Sequence, residues 1–221
     1  NLRKKEILGF YGLVGSGRTE IMKSIFGITK PDEGEIFFKD KKISILKPSD
    51  AINQGIVYLS EERQQLGITG LMSVKDNINM AIIDKNSNFY IMDNLKEVKN
   101  AASMQEKLNI KVSYWSQLAQ SLSGGNQQKT VISKWLSTKP EVLILDEPTK
   151  GIDVRSKSAV HEFMGELVGE GMSIIMISSE LPEILGMCDR VVVMYRGLIK
   201  KVLDVKDASS EQIVKIASGE E

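Results

Sequence analysis

A glycine-rich segment near the start of the chain, GLVGSGRT at residues 12–19, has the composition of a phosphate-binding loop. Its spacing follows the pattern GxxxxGK(S/T), in which small residues let backbone N–H groups converge on phosphate oxygens at a helix N-terminus. Thr19 keeps the hydroxyl that ligates Mg²⁺ in such loops. The candidate phosphate-binding residues are Gly12, Gly15, Ser16, Gly17, Arg18 and Thr19.

Arg18 stands where this pattern has lysine, and the substitution changes the chemistry that we expect of the loop. Lysine contributes a compact ammonium, and the larger planar guanidinium is not interchangeable with it in a close-fitting cradle. We therefore expect the loop to bind phosphate and to catalyse poorly. Taken alone, the segment is also compatible with a glycine-rich turn that has no ligand.

An apolar run at residues 142–145 ends in two carboxylates, Asp146 and Glu147, which are followed by Pro148 and Thr149. A buried strand of this kind places both carboxylates at the carboxyl edge of a sheet, beside the glycine-rich loop. Such a pair can hold Mg²⁺ through water and orient an attacking water. A solvated strand end is the alternative for the isolated pattern. The order of the motifs favours metal binding, with Thr19 and Asp146 as ligands and Glu147 as the catalytic residue.

The segment LSGGNQQK at residues 122–129 predicts a second anion site. Ser123 and the backbone of Gly124 and Gly125 open a helix that we expect to begin near Asn126, and exposed N–H groups at a helix N-terminus attract anions. One nucleotide cannot touch both this segment and the glycine-rich loop of the same chain. The sequence therefore implies a partner domain.

The elements that position these motifs alternate between strands and helices. Apolar runs predict strands at residues 7–11, 56–59, 142–146 and 173–177, and helical patterns predict helices at residues 19–26, 154–168 and 182–187. Hairpins are expected at residues 34–45, turning at 39–42, and at residues 190–203. This alternation favours an α/β fold with a mostly parallel sheet covered on both faces and a flanking antiparallel piece.

Residues 73–120 are predicted to be mostly helical. Ser73 begins a helix with Asp76 three residues later, as in a capping box. A helical stripe further along is formed by Leu95, Val98, Ala101, Met104 and Leu108. Two other residues are interpreted as structural: Trp135 as part of an apolar helix face, and His161 as a residue at the surface or core edge of a helix.

Composition excludes several classes of protein. The 29 basic and 29 acidic residues cancel, so no overall charge attracts the chain to nucleic acid or anionic lipid. The longest apolar runs are about strand length, far below the ~20 residues that span a bilayer. The single cysteine, Cys188, is expected to be a small buried thiol in a reducing compartment. The chain starts at Asn1 almost directly on a strand, so we expect it to be a fragment of something longer.

The order of glycine-rich loop, LSGG and ILDEPT resembles that of ABC ATPases, which implies a P-loop NTPase fold, ATP and Mg²⁺. More narrowly, the chain is similar to the second nucleotide-binding domain of the fused ATPase subunits of ribose, galactose, xylose and autoinducer-type sugar importers. The segments that carry this resemblance are GSGRTE, IVYLSEER, LSGGNQQK, LDEPTKGID and ISSELPEILGMCDR, within residues 6–203. It implies one domain over residues 1–221, with a helical subdomain at about 73–125, in a longer chain with two cassettes.

The resemblance also implies roles for individual residues. Two such domains sandwich two ATPs, and each site combines the P-loop of one half with the LSGG of the other. Arg18 then replaces the P-loop lysine, Glu61 the glutamine that senses Mg²⁺ and the γ-phosphate, and Ser179 the histidine that contacts the γ-phosphate. The retained residues are Asp146, Glu147, Ser123, Gly124, Gly125 and Asp153. Losing one preorganised donor costs on the order of 10² to 10³ in rate, so this P-loop is expected to bind nucleotide and hydrolyse it poorly.

The partners implied by the resemblance are the first nucleotide-binding domain of the same subunit, membrane permease subunits and, indirectly, a periplasmic sugar-binding protein. The chain is then cytoplasmic and peripheral on the inner face of the membrane, without a nucleic-acid partner. Two other functions stay open. One is a regulatory domain that holds nucleotide beside a partner that does not hydrolyse it either. The other is a soluble ABC ATPase acting on DNA or the ribosome, which the neutral charge balance disfavours.

Overall fold

A computed structural model describes residues 1–62, 66–88 and 91–220. Its strands, in chain order, are β1 (Ile7–Tyr11), β2 (Ile36–Phe38), β3 (Lys41–Ile43), β4 (Ile56–Leu59), β5 (Ser87–Asn88), β6 (Ile91–Met92), β7 (Val142–Asp146), β8 (Ser173–Ile177), β9 (Arg190–Tyr195) and β10 (Leu198–Asp204). Its helices are α1 (Arg18–Phe26), α2 (Pro48–Asn53), α3 (Val74–Asn79), α4 (Ile83–Asn86), α5 (Asn94–Leu108), α6 (Gly124–Leu136), α7 (Val154–Gly169), α8 (Leu181–Met187) and α9 (Ser210–Ser218).

The main sheet has six strands in the order β10-β9-β1-β8-β7-β4. Strands β9, β1, β8 and β7 pair in parallel, and β10 pairs antiparallel with β9. All five residues of β1 and of β8 are buried, although successive side chains point to opposite faces. Both faces are therefore covered, as near-continuous apolar strands of a parallel sheet require. The predicted α/β fold with its mostly parallel sheet is confirmed.

The antiparallel piece is the β2–β3 hairpin. Its turn is narrower than predicted, because only Lys39 and Asp40 separate the strands, both with φ in the left-handed region at 51° and 61°. Phe37 is 62% exposed, so this hairpin is covered on one side at most. It is the flanking antiparallel piece that the alternating pattern indicates.

The chain folds as two compact units. The first comprises residues 1–58, 140–148 and those from Met164 onward, and the second comprises residues 59–139 and 149–163. The predicted helical subdomain at about 73–125 falls within the second unit. Its core includes Val74 and Ile78 of α3, Ala101 of α5, and Val131 and Ile132 of α6. Whether residues 1–221 act as a single domain stays a prediction.

Helix α5 corrects one detail of the sequence interpretation. Leu95 belongs to the predicted helical stripe, but it is 83% exposed, whereas Glu97 is buried. Lys75 of α3 donates to the Glu97 carboxylate at 2.8 Å and so compensates the buried charge. Apolar spacing alone does not predict that a glutamate is buried here, because the lysine that compensates its charge belongs to another helix.

Two further helices and one strand pair differ from the expectation. Helices α2 and α9 were not predicted, although Ser209 caps α9 by accepting from Gln212 N at 3.1 Å. The segment expected to be mostly helical also contains the short β5–β6 pair. Cys188 is buried, as expected, and burial raises the pKa of its thiol to about 12. In the part of the chain that the structure describes, no helix has the length and apolar character of a membrane span.

Candidate functional site

The glycine-rich loop joins β1 to α1, so it follows a buried central strand of the sheet. The backbone at Gly17 has φ 92°, which sets the entry into α1, and Ser16 N donates to Leu13 O at 3.0 Å. A Cβ at Gly12 would lie 2.5 Å from Met194 O and 2.6 Å from Ser16 Oγ. Gly12 is therefore required by the close approach of another backbone segment.

A buried donor at this loop fits an oxyanion. Ser16 is buried, and its Oγ has no hydrogen-bond partner among the described residues. A buried hydroxyl without a partner costs free energy unless a ligand or water satisfies it. The first turn of α1 adds N–H groups and the positive end of the helix dipole. The loop thus has the donors that a phosphate group needs.

Arg18, at the start of α1, contacts the residues that directly follow β7 and β8. Its Nη1 donates to Ser178 O at 3.0 Å and lies 3.9 Å from Glu147 Oε1. Ser179 Oγ donates to Glu147 Oε2 at 3.1 Å. We call Arg18, Glu147, Ser178 and Ser179 the Arg18 cluster. Two predicted substitutions, Arg18 and Ser179, therefore contact the same carboxylate.

Glu147 lies in a strained and partly desolvated position. Its φ of 49° is left-handed, which a side chain with a Cβ adopts at a cost of roughly 1–2 kcal/mol. Burial raises the pKa of Glu147 above its ordinary value, while the hydrogen bond from Ser179 and the charge of Arg18 act in the opposite direction. A carboxylate with a raised pKa suits a general base, but this one is already engaged by two neighbours.

Asp146 precedes Glu147 at the end of β7 and is only 1% exposed. Tyr58 of β4 donates its phenol to Asp146 Oδ2 at 2.7 Å. Among the described residues, no three His, Cys, Asp or Glu side chains lie close enough to hold a metal ion alone. Mg²⁺ does not require such a cluster, because it keeps several waters and binds through one or two carboxylates plus substrate phosphates. Thr19 and Asp146 fit that donor set.

The LSGG segment belongs to the second unit. Ser123 is the N-cap of α6, which begins at Gly124 rather than near Asn126 as predicted. The helix starts earlier because Ser123 already has the extended backbone of a cap, with φ −61° and ψ 155°. Asn126 Nδ2 donates to Ser123 Oγ at 3.0 Å, and Asn126 Oδ1 accepts from Lys111 N at 2.9 Å. Asn126 thus fixes the position of the Ser123 hydroxyl.

Gly125 is packed against the start of α7. A Cβ at Gly125 would lie 2.3 Å from Ser156 Oγ, and that hydroxyl donates to Asp153 Oδ2 at 2.7 Å. The hydroxyl and the amide of Ser156 lower the pKa of Asp153 below its ordinary value. Ser156 therefore connects the LSGG segment to Asp153, the aspartate that the resemblance assigns to the loop between domains.

Glu61 is an exposed ion-pair partner in this unit. Its carboxylate pairs with Lys150, whose side chain is 63% exposed. Arg63, the last residue of the IVYLSEER segment, lies outside the described residues. The acidic residue at this position therefore has an opposite charge beside it.

Sequence reasoning missed three residues that position the site. Tyr58 is the one polar-tipped side chain of the run IVYL, which is a signal for a buried hydrogen bond. Ser156 stands three residues after Asp153, the spacing of a helix N-cap and its third residue. Asn126 gives no comparable signal, because its contact with Ser123 depends on where the helix begins.

The chain matches the family model described as ABC transporter over residues 1–150. It is 50% identical over 218 residues to the ribose import ATP-binding protein RbsA of Jannaschia sp., covering 99% of this chain and 42% of that protein. It is also 50% identical over 218 residues to the xylose import ATP-binding protein XylG of Thermoanaerobacter pseudethanolicus, covering 98% and 43%. The chain thus spans less than half the length of these curated relatives.

Solved structures agree in fold. A nucleotide-free ATP-binding cassette from an ABC transporter superposes with a TM-score of 0.82 at 24% identity, covering 98% of this chain and 86% of that one. At this identity the likeness concerns the fold alone. The match of the family model to residues 1–150, which is more than half of the chain, carries the assignment. This protein therefore belongs to the ABC transporter family and has the α/β ATPase fold of that family.

Proposed function

We propose that the chain is the nucleotide-binding domain of an ATP-driven sugar importer. The two curated relatives described above are a ribose and a xylose import ATP-binding protein, and each is 50% identical to nearly the whole chain. Other curated relatives at 45–48% identity are also ribose import ATP-binding proteins. The sugar itself is recognised by other subunits, so the shared feature is ATP-driven sugar import.

Within this function, the chain's own P-loop holds nucleotide and hydrolyses it slowly. The single observation that carries this proposal is the contact of Arg18 with Glu147 and Ser178 O. Bound ATP supplies the phosphoanhydride bond, and Mg²⁺ neutralises charge on its phosphates. The binding residues are Gly12, Gly15, Ser16, Gly17, Arg18 and Thr19, with Thr19 and Asp146 toward the metal. Glu147 is the catalytic residue, but its carboxylate is held by Arg18 and Ser179.

The LSGG segment acts on the ATP of a partner domain. Ser123 is exposed, and its hydroxyl makes no hydrogen bond to the backbone of α6. The hydroxyl is oriented by a hydrogen bond from Asn126. Its hydroxyl accepts the Asn126 hydrogen bond, so its own proton is directed elsewhere. Together with the N–H groups of Gly124 and Gly125, it forms a donor set for a phosphate. The partner that we propose is the first nucleotide-binding domain of the same subunit.

The second unit also carries the surface that we propose for the permease subunits. Leu71 is 78% exposed, Leu118 42% and Met72 36%, and Ala119 N donates to Met72 O at 3.0 Å, which holds the two segments side by side. Exposed apolar groups that lie together are typical of interaction sites. The domain would dock there on the cytoplasmic face of the membrane, with the periplasmic sugar-binding protein as an indirect partner.

The experiment compares two substitutions in the full-length subunit assembled with its permease. Ser123→Arg is expected to lower ATP turnover at least about 100-fold, because it removes a preorganised donor from the active site. Glu147→Gln is expected to change turnover less than about threefold, because its site contributes little. Equal losses in both variants would show that the two sites act alike and would overturn the proposal.

A regulatory, non-hydrolytic domain is the second candidate, because the same Arg18 contact with Glu147 also suits a site that only holds nucleotide. The Ser123→Arg variant separates the two functions. Unchanged turnover and sugar uptake would favour the regulatory domain, whereas loss of both favours the importer.

A further inference from the structure

Tyr58 is a buried side chain with a polar tip to which the proposed function assigns no role. It lies on β4, the strand next to β7 in the sheet, and is 3% exposed. Its phenol donates to Asp146 Oδ2 at 2.7 Å, and Asp146 is itself 1% exposed. Metal binding requires the ionised form of the carboxylate, and a hydrogen bond to that form is about twice as strong as a neutral one. With both groups buried, bulk water does not compete for it.

The ring that carries this phenol packs against a second aromatic ring. The Tyr58 ring packs against the ring of Phe26 with centroids 5.7 Å apart and planes at 41°, a tilted aromatic arrangement. Phe26 is the last residue of α1, whose first turn carries Arg18 and Thr19. The hydroxyl that fixes Asp146 is therefore placed by the same helix that presents Thr19.

A hydrogen bond to one carboxylate oxygen restricts rotation of the whole group. With Oδ2 held by Tyr58, the plane of the Asp146 carboxylate is set, and so is the direction of Oδ1. Orientation matters because Mg²⁺ demands near-ideal octahedral geometry and dehydrates reluctantly. Partners that orient ligating carboxylates typically contribute 10–100-fold in metal affinity.

We infer that Tyr58 is a positioning residue for Mg²⁺, acting through Asp146. The inference rests on the proposed function, in which the P-loop of this chain binds nucleotide with Mg²⁺ through Thr19 and Asp146. In this role Tyr58 acts on the metal through the Asp146 carboxylate. It strengthens the metal-dependent part of nucleotide binding by holding Asp146 Oδ2.

The test uses Tyr58→Phe in the full chain, with Tyr114→Phe as the matched control because Tyr114 is 62% exposed. Binding of ATPγS is measured by calorimetry in Mg²⁺ and again in EDTA. In Tyr58→Phe, we expect the Mg²⁺-dependent gain in affinity to fall about tenfold, while the affinity in EDTA stays within twofold. Tyr114→Phe should match the wild type in both conditions.

A purely structural role of Tyr58 gives a different result. It would lower the affinity in Mg²⁺ and in EDTA by the same factor, or leave the Mg²⁺-dependent gain intact, and either outcome overturns the inference. If the wild type binds no ATPγS, the proposed function fails first and is identified as the failure. If Tyr58→Phe lowers the stability of the protein, a double-mutant cycle with Asp146→Asn still tests whether Tyr58 acts through Asp146. Tyr58→Phe should not reduce the Mg²⁺-dependent gain further in that background, and an additive loss contradicts the inference.

Discussion

The glycine-rich loop and the LSGG segment each lead into a helix N-terminus, but the side chains around the two ends are used differently. At the start of α1, Arg18 turns toward Glu147 and Ser178 O, within the site. At the start of α6, Ser123 is exposed, and its hydroxyl accepts a hydrogen bond from Asn126. At the first end the Arg18 side chain is engaged by Glu147 and Ser178 O, whereas at the second end the Ser123 hydroxyl is exposed.

The α1 end follows the P-loop pattern in its backbone and departs from it in its side chains. Gly12 preserves the backbone shape of the P-loop, and Ser16 preserves a buried donor. Two of the three departures, Arg18 and Ser179, contact Glu147, and the third, Glu61, pairs with Lys150. A site that keeps its backbone donors and loses its catalytic side chains would hold nucleotide without rapid turnover, which is the division of labour that we propose.

The largest expected effect is at Gly12, where the P-loop depends on backbone shape. In Gly12→Ala the new Cβ would lie 2.5 Å from Met194 O, a backbone atom that moves only with its strand. We expect ATP affinity to fall about 100-fold or more, which corresponds to about 2.7 kcal/mol. Titration calorimetry measures the loss.

Gly15→Ala is the control for Gly12→Ala, because nothing lies within 4 Å of its Cβ although its φ is 79°. Its cost is backbone strain alone, about 1–2 kcal/mol. If both variants weaken ATP binding equally, the close approach at Gly12 is not what shapes the loop.

The next largest effect is a pH dependence of the free energy of unfolding, which arises in the second unit, the one that contains the LSGG segment. Lys134 of α6 is buried and donates to Gly67 O at 2.5 Å. Burial lowers the pKa of Lys134 from 10.5 to about 8. Between these values the unfolded chain binds a proton that the folded chain has released, so stability rises with pH there and is flat below about pH 8.

The measurement compares urea unfolding of the wild type with Lys134→Met at pH 7, 8.5 and 10. Relative to the variant, the wild type should gain about 2–3 kcal/mol across this range, since each pKa unit corresponds to about 1.4 kcal/mol. If the unfolding free energies of the wild type and of Lys134→Met change in parallel with pH, the folded protein keeps Lys134 charged and the contact with Gly67 O compensates its burial.

A smaller effect is expected at Gly125, because the contact that it would make is with one small side chain. A Cβ there would lie 2.3 Å from Ser156 Oγ and 2.8 Å from Ser156 Cβ. The hydroxyl can rotate away if its bond to Asp153 breaks, but Ser156 Cβ moves only with the start of α7. Gly125→Ala should cost about 1–2 kcal/mol in unfolding free energy. The cost should shrink by about 1 kcal/mol in a Ser156→Gly background.

Gly165→Ala on α7 is the control for Gly125→Ala, since nothing lies within 4 Å of its Cβ. It should stabilise the chain by up to about 1 kcal/mol, as alanine favours a helix over glycine. An unchanged cost of Gly125→Ala in the Ser156→Gly background would show that Ser156 does not set the geometry of the LSGG segment.

Local sequence pattern was enough to predict much of the fold, including the position of the glycine-rich loop between β1 and α1. Continuous apolar runs predicted β1, β7 and β8, because strands buried on both faces need them. The glycine-rich loop and its helix follow from residues adjacent in the chain. The predicted start of α6 was wrong by two residues, since LSGG was interpreted as a loop leading into a helix, whereas Ser123 is the N-cap residue and the helix begins at Gly124.

Contacts between distant segments could not be predicted in this way. Arg18 meets Glu147 only because β1 and β7 both neighbour β8 in the sheet and end at the same edge. The sequence identified each residue as a candidate but not their contact. The buried Glu97 depends in the same way on a lysine from another helix. The assigned roles of the site residues stay predictions.

The smallest expected effect concerns Glu61, to which the resemblance assigns the place of the sensing glutamine. Its pair with Lys150 is exposed, and such pairs contribute 0–1 kcal/mol. Glu61→Gln should therefore change the free energy of unfolding by less than about 1 kcal/mol. In ATPase assays of the full-length subunit it should also leave turnover within about twofold. A restored glutamine does not release Glu147, which Arg18 and Ser179 still hold. A several-fold rise in turnover would instead identify Glu61, and not the Arg18 cluster, as the group that limits this site.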